Sequence, residues 1–381
     1  MIARILHLLA PVALLLAVSS PASADDRHQL RFINASEQEV DVFWLQADDQ
    51  RIERGVILPH GDMIINTSAD HRFVLVGRED QHTETVTSKV RFQGFYFDPE
   101  ASDGIPAFYS QVARVHGFPI VASERVNPYA LKEAVFIVES MIGHRPEILE
   151  AMAQSGARLC IMAHDEFTTD LPEFAWLGRR SVRDFEEFNA KDYWDSRARG
   201  LGGSATDPFC SCAEENLLGF PGDPYSKENI LIHEFAHNIH LRGVNNIDPT
   251  FDDRLRATYE KAMAAGRWKG KYASVNHHEY FAEGAQSWFD DNRVNDHDHN
   301  HVNTRALLIE YDPDLAELCR EVFGDNNFSY TRAEKRLHGH LEGYDPDTAP
   351  TFSWPERVEV VRQAIRAKAV ARDEAANAAV E

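Results

Sequence analysis

The stretch Glu228-Asn229-Ile230-Leu231-Ile232-His233-Glu234-Phe235-Ala236-His237-Asn238-Ile239-His240 constrains this chain more than any other. On an α-helix, His233 and His237 stand on one face about one turn apart, the spacing that lets two imidazoles grip one Zn²⁺. Glu234 falls beside the water such an ion would carry and is the candidate general base. Ser226 offers a helix start, and Ile230, Leu231, Ile232, Phe235 and Ala236 supply an apolar face to bury. A catalytic zinc takes three protein ligands and leaves one position open, so the fold must carry a second ligand-bearing element to this helix.

His240 does not fill that role, because it lies about two helical turns beyond His233 on the same helix. His240 and Gly243 also stand where a metzincin has Gly and His, which excludes that pattern. The better candidate is Tyr272-Ala273-Ser274-Val275-Asn276-His277-His278-Glu279-Tyr280-Phe281-Ala282-Glu283. Glu279 and Glu283 share a helical face, so Glu279 is assigned as the third ligand. Glu283 is expected behind it, hydrogen-bonding a ligating histidine. Asn276 followed by Glu279 is also a capping-box start, in which the Glu279 carboxylate would meet backbone N–H groups instead.

The pair His-Glu-Phe-Ala-His at 233–237 and Asn-His-His-Glu-Tyr-Phe-Ala-Glu at 276–283 resembles the catalytic domain of anthrax lethal-factor-like zinc peptidases, the gluzincin type, over roughly residues 155 to 290. The resemblance implies one catalytic Zn²⁺ on His233, His237 and Glu279, and a peptide or protein substrate. It also implies an oxyanion-stabilising role for Tyr272, which precedes Glu279 by the family's spacing. The segments Arg199-Gly200-Leu201-Gly202-Gly203 and Glu214-Glu215-Asn216-Leu217-Leu218 look like a secreted bacterial branch of such peptidases, with no role assigned to them.

Residues 30–97 read as short β-strands separated by polar turns, Leu30–Ile33, Val40–Leu45, Met63–Asn66, Phe73–Val76, Thr85–Val90 and Gly94–Phe97, which predicts a small all-β module. Leu30-Arg31-Phe32-Ile33-Asn34, Val42-Phe43-Trp44-Leu45 and Thr67-Ser68-Ala69-Asp70-His71-Arg72-Phe73 resemble the β domain of the von Hippel-Lindau protein, a sandwich that reads hydroxyproline. The resemblance puts Trp44, Thr67, His71 and Phe73 in a ligand pocket. Phe73 replaces the family's second Trp, and the family's Tyr place falls near Ile52 to Arg54.

These readings give an α+β chain in which a signal peptide over 1–24 precedes a β-sandwich over 25–98. A mainly helical zincin-type domain over 99–366 and an Ala-rich tail over 367–381 complete it. The leader ends in Ala22-Ser23-Ala24, so the mature protein is expected to be secreted or periplasmic. In an oxidising compartment Cys160, Cys210, Cys212 and Cys319 favour disulfides, with Cys210 and Cys212 each reaching a distant partner. A net charge of −22 argues against nucleic acid, and no apolar run is long enough for an integral membrane protein. The alternating Asp296-His297-Asp298-His299-Asn300-His301 segment reads either as a metal-loading loop or as a solvated one. The leading function is a secreted zinc metallopeptidase. The alternative is a non-catalytic binding or adhesion protein with a structural zinc site and a β-sandwich recognition module.

Overall fold

The computed structural model describes residues 27–378, apart from residue 205; the signal peptide expected at 1–24 and the last three residues lie outside that range. The chain is mixed α+β, with sheets at the N-terminal end and helices dominating the rest. Seven strands come first: β1 (His28–Asn34), β2 (Val40–Leu45), β3 (Arg51–Ile57), β4 (Asp62–Thr67), β5 (Arg72–Gly77), β6 (Thr83–Thr87) and β7 (Phe92–Phe97). They form two sheets, ordered β4-β1-β7 and β3-β2-β5-β6. Alternation sends Leu30, Phe32, Val42, Phe73, Leu75 and Phe97 into the shared core, where the Phe32 and Phe73 rings lie 5.5 Å apart.

The period-two reading omits β3. This edge strand carries Arg51, Glu53 and Arg54 on an exposed row, so it shows no apolar alternation, and only its pairing with β2 defines it. A bulge shifts its register between Val42 and Phe43, where Gly55 takes φ +139°.

Four further strands form a second layer: β8 (Gln111–Val115), β9 (Phe118–Ala122), β10 (Arg158–Met162) and β11 (Phe209–Ala213). Their order is β11-β10-β9-β8, with β9, β10 and β11 parallel and β8 antiparallel. The sequence reading places no strand of this sheet, which lies within the otherwise mainly helical part of the chain. Strands β10 and β11 are buried at every position, and short continuous apolar runs cannot be told from buried helix by periodicity.

The helices are α1 (Pro128–Ile142), α2 (Pro146–Gln154), α3 (Ala190–Arg197), α4 (Glu214–Leu218), α5 (Ile230–Asn238), α6 (Asn245–Ile247), α7 (Phe251–Ala264), α8 (His277–Trp288), α9 (Arg305–Tyr311), α10 (Pro313–Phe323) and α11 (Glu356–Ala378). Among the described residues no helix is long and apolar enough to cross a membrane. One face of the β8–β11 sheet packs on α1, α2 and α5, with Phe118 and Phe235 5.4 Å apart. The other face meets Leu171, Phe174 and Leu177, and Ile33 and Tyr96 of the sandwich pack there too. Gly94 N–H donates to Ser155 O at 2.9 Å, and a Cβ on Gly156 (φ +77°) would lie 2.2 Å from Gly94 O. Glycine is required where these two backbones touch.

The disulfide expectation is also corrected: Cys160, Cys210, Cys212 and Cys319 are all free, buried thiols. Cys160 pairs across the ladder with Ser211, the residue between Cys210 and Cys212, so pleating turns its Sγ to the opposite face from theirs. Burial pushes all four thiols above the ordinary range and keeps them protonated.

Candidate metal centre

Helix α5 begins at Ile230, not near Ser226, and side chains cap its first N–H groups. Asn229 Oδ1 accepts from Leu231 N at 3.0 Å, and Asn216 Oδ1 accepts from Ile230 N at 2.8 Å. Asn216 belongs to one of the two segments that had no assigned role. In the other, Arg199 is fully buried and donates Nη2 to Glu215 Oε2 at 3.1 Å and to Ala163 O at 3.0 Å. That ion pair holds the glycine loop against β11, where Leu201 and Ser211 exchange backbone hydrogen bonds of 2.8 and 3.2 Å. A Cβ on Gly202 would come within 2.6 Å of His237, so the loop meets the helix there only because Gly202 has no side chain.

On α5, His233 and His237 face Glu279 of α8. Glu279 Oε2 lies 3.1 Å from Nε2 of each histidine, and the two Nε2 atoms are 3.2 Å apart. Ligands at ~2.0–2.1 Å around a tetrahedral Zn²⁺ stand about 3.3 Å from each other, so this triangle has the dimensions of one face of such a site. Asn276 Oδ1 accepts from His278 N and Glu279 N, which caps α8 and leaves the Glu279 carboxylate for the histidines.

Behind the triangle, Gln286 takes the position expected of Glu283. His233 Nδ1 donates to Gln286 Oε1 at 2.9 Å, whereas Glu283 Oε1 is 3.7 Å away, beyond hydrogen-bond range. Gln286 Nε2 in turn donates to Glu228 Oε2 at 3.0 Å, an acceptor only, which fixes the amide's orientation. A proton held on His233 Nδ1 leaves Nε2 as the nitrogen that a metal would bind. Glu283 pairs instead with Asn292 Nδ2 at 2.9 Å and His299 Nε2 at 3.3 Å.

Charge makes this pocket favourable to a positive partner. Burial opposes a charge on His233, but Glu279, with Glu234 and Glu283 nearby, outweighs it and raises the imidazole to about 10. Burial likewise raises Glu234, against the pull of His233 and His237. A proton or a metal ion must offset these carboxylates.

The site opens into a cavity of about 690 Å³, lined among others by Glu234, Tyr272, Gly200 and Tyr225. The Tyr272 ring lies 6.0 Å from that of His233, and its N–H donates to Asp298 O at 2.8 Å. Burial and the nearby Glu279 and Glu234 hold its phenol well above the ordinary range, so it stays a hydrogen-bond donor. The 296–301 segment is tied down: Asp296 Oδ1 accepts from His299 N at 2.8 Å and contacts His299 Nδ1 at 2.8 Å. Sequence reasoning missed Gln286, Glu228, Asn216 and Tyr225, whose neighbours come from other segments.

In the sandwich, Trp44, Thr67, His71 and Phe73 line one cleft of about 660 Å³, together with Arg54 and Met63. Thr67 Oγ1 and His71 Nδ1 are 2.8 Å apart, the Trp44 and His71 rings 5.3 Å, and the Arg54 guanidinium lies 5.2 Å from the Trp44 ring. Phe73 is 1% exposed and forms the floor of the cleft. No protein-family model matches the chain, and no curated protein matches it.

Proposed function

We propose that this protein is a secreted zinc metallopeptidase of the zincin type, related to the lethal-factor-like gluzincins, with the β-sandwich selecting or positioning its substrate. The observation that carries the reading is the triangle of His233 Nε2, His237 Nε2 and Glu279 Oε2, with 3.1–3.2 Å edges at the wall of a cavity. Zn²⁺ held there would supply Lewis acidity toward a water and a peptide carbonyl. Glu234 accepts the proton of the attacking water and returns it to the leaving amine. Tyr272 donates its phenolic hydrogen to the carbonyl oxygen as charge develops on it, and Gln286 keeps His233 in its ligating tautomer.

The test is metal analysis of the purified protein with digestion of an unstructured peptide library. About one equivalent of zinc dependent on Glu279, and hydrolysis that a chelator abolishes and zinc restores, are the expected results. Zinc-loaded protein that cleaves no peptide would favour the binding reading, for which the Trp44–Thr67–His71 cleft is the specific observation.

A further inference from the structure

Beyond the first triangle, the same helices carry a second histidine cluster. After α5 the chain widens into a π-helical turn over Ile239–Val244, a rare conformation that re-aims the side chains it contains. His240 lies in that turn, fully buried, with neither ring nitrogen hydrogen-bonded. Its Nε2 is 3.1 Å from Asp252 Oδ1 on α7, but off the line of an N–H···O bond. His278, beside Glu279 at the start of α8, has a buried Nδ1 with no partner, and its ring centroid is 5.3 Å from that of His240. One ligand atom from each of His240, Asp252 and His278 fits within 4.8 Å of the others. Buried imidazole nitrogens without partners are costly, and a cation bound among three donors that lie within 4.8 Å of one another would relieve that cost.

We propose that His240, Asp252 and His278 form a second site for a divalent transition ion of the Zn²⁺ class, separate from the His233–His237–Glu279 centre. Two imidazoles and one carboxylate are the donor set that suits zinc, with a position left for water. The carboxylate is already oriented: Arg256 Nη2 donates to Asp252 Oδ2 at 3.1 Å, and His277 Nε2 lies 3.1 Å from Oδ1. The ion would join α7, the π-turn and the first turn of α8, immediately before Glu279. Its place is that of a clamp on the helix that carries the third ligand of the first centre.

The experiment is zinc stoichiometry on the full chain, stripped with chelator, reloaded with Zn²⁺ and dialysed, with circular dichroism to verify folding. Two equivalents are expected in the parent protein. Asp252→Asn and His278→Gln should each retain one, Glu279→Ala should retain one, and Asp252→Asn with Glu279→Ala none. Two different side chains are tested so that a misfolded variant does not decide the outcome. A parent that binds one equivalent, lost in Glu279→Ala and kept in both Asp252→Asn and His278→Gln, would overturn the second site and leave the peptidase reading standing. One equivalent lost in Asp252→Asn and His278→Gln but kept in Glu279→Ala would do the reverse.

Discussion

The two clefts of this molecule differ little in volume, about 690 Å³ beside α5 and α8 and about 660 Å³ in the sandwich, yet they are built on opposite principles. The sandwich cleft is an aromatic recess in which Thr67 and His71 pair at 2.8 Å and the buried Trp44 Nε1 alone is left without a partner among its lining groups. The helical cavity gathers Glu234, Glu279 and Glu283 around two imidazoles, an arrangement that favours a positive charge, whether a proton or a cation. Cavity size therefore says little about chemistry. The cost of burying charge, and the side chains recruited to offset it, say much more.

The sharpest way to break this contrast is to separate metal holding from proton transfer in the helical cavity. Glu279→Ala should remove the metal of that centre and abolish hydrolysis. Glu234→Gln should keep the metal and lower turnover by at least ~10²-fold, read by metal analysis beside kcat. Equal turnover in Glu234→Gln and parent would end the general-base role. Next in size, Gln286→Ala should weaken zinc affinity by roughly 10 to 100-fold, and Glu283→Gln should weaken it less, because Gln286 makes the hydrogen bond to His233. A competitive chelator titration measures both, and the reverse order would restore the role to Glu283.

The junction between the two regions gives a pH-dependent test. Burial raises the Asp207 carboxyl to about 6, against the pull of Arg31 from the sandwich and Arg242. The folded chain then holds a proton that the unfolded chain has already lost, so this group's contribution to stability falls as pH rises from its ordinary carboxylate value through about 6. Asp207→Asn should relieve that fall, by on the order of 1 kcal/mol once partial exposure is discounted, seen as a Tm gain at pH 7 that is absent near pH 4. The smallest effect belongs to the sandwich: Thr67→Val should cost ~0.5–1.5 kcal/mol of stability and leave zinc content and small-peptide turnover unchanged. Loss of metal in that variant would show that the clefts are coupled.

Regularities of spacing were legible in the residues alone. The four-residue step from His233 to His237, the matching step from Glu279 to Glu283 and the alternation of β1 and of the start of β2 depend on helix and strand periods, which act within a few residues. What depends on neighbours distant in sequence was not. Strand β3 is defined by pairing and not by its charged residues, and β10 and β11 by burial on both faces. The cysteines looked like disulfide partners until pleating put Cys160 on the far face from Cys210 and Cys212. Glu283 and Gln286 stand on the same side of α8, three residues apart, so periodicity admits either behind His233. The choice falls to Gln286 because Glu228 holds its amide in place, while Asn292 and His299 draw Glu283 away. Sequence by itself determined which residues could share a helical face or a strand face, because that follows from the local periods of the backbone. Tertiary structure decided which of them meet, because a buried polar group settles on whichever partner the packed chain brings within hydrogen-bond reach.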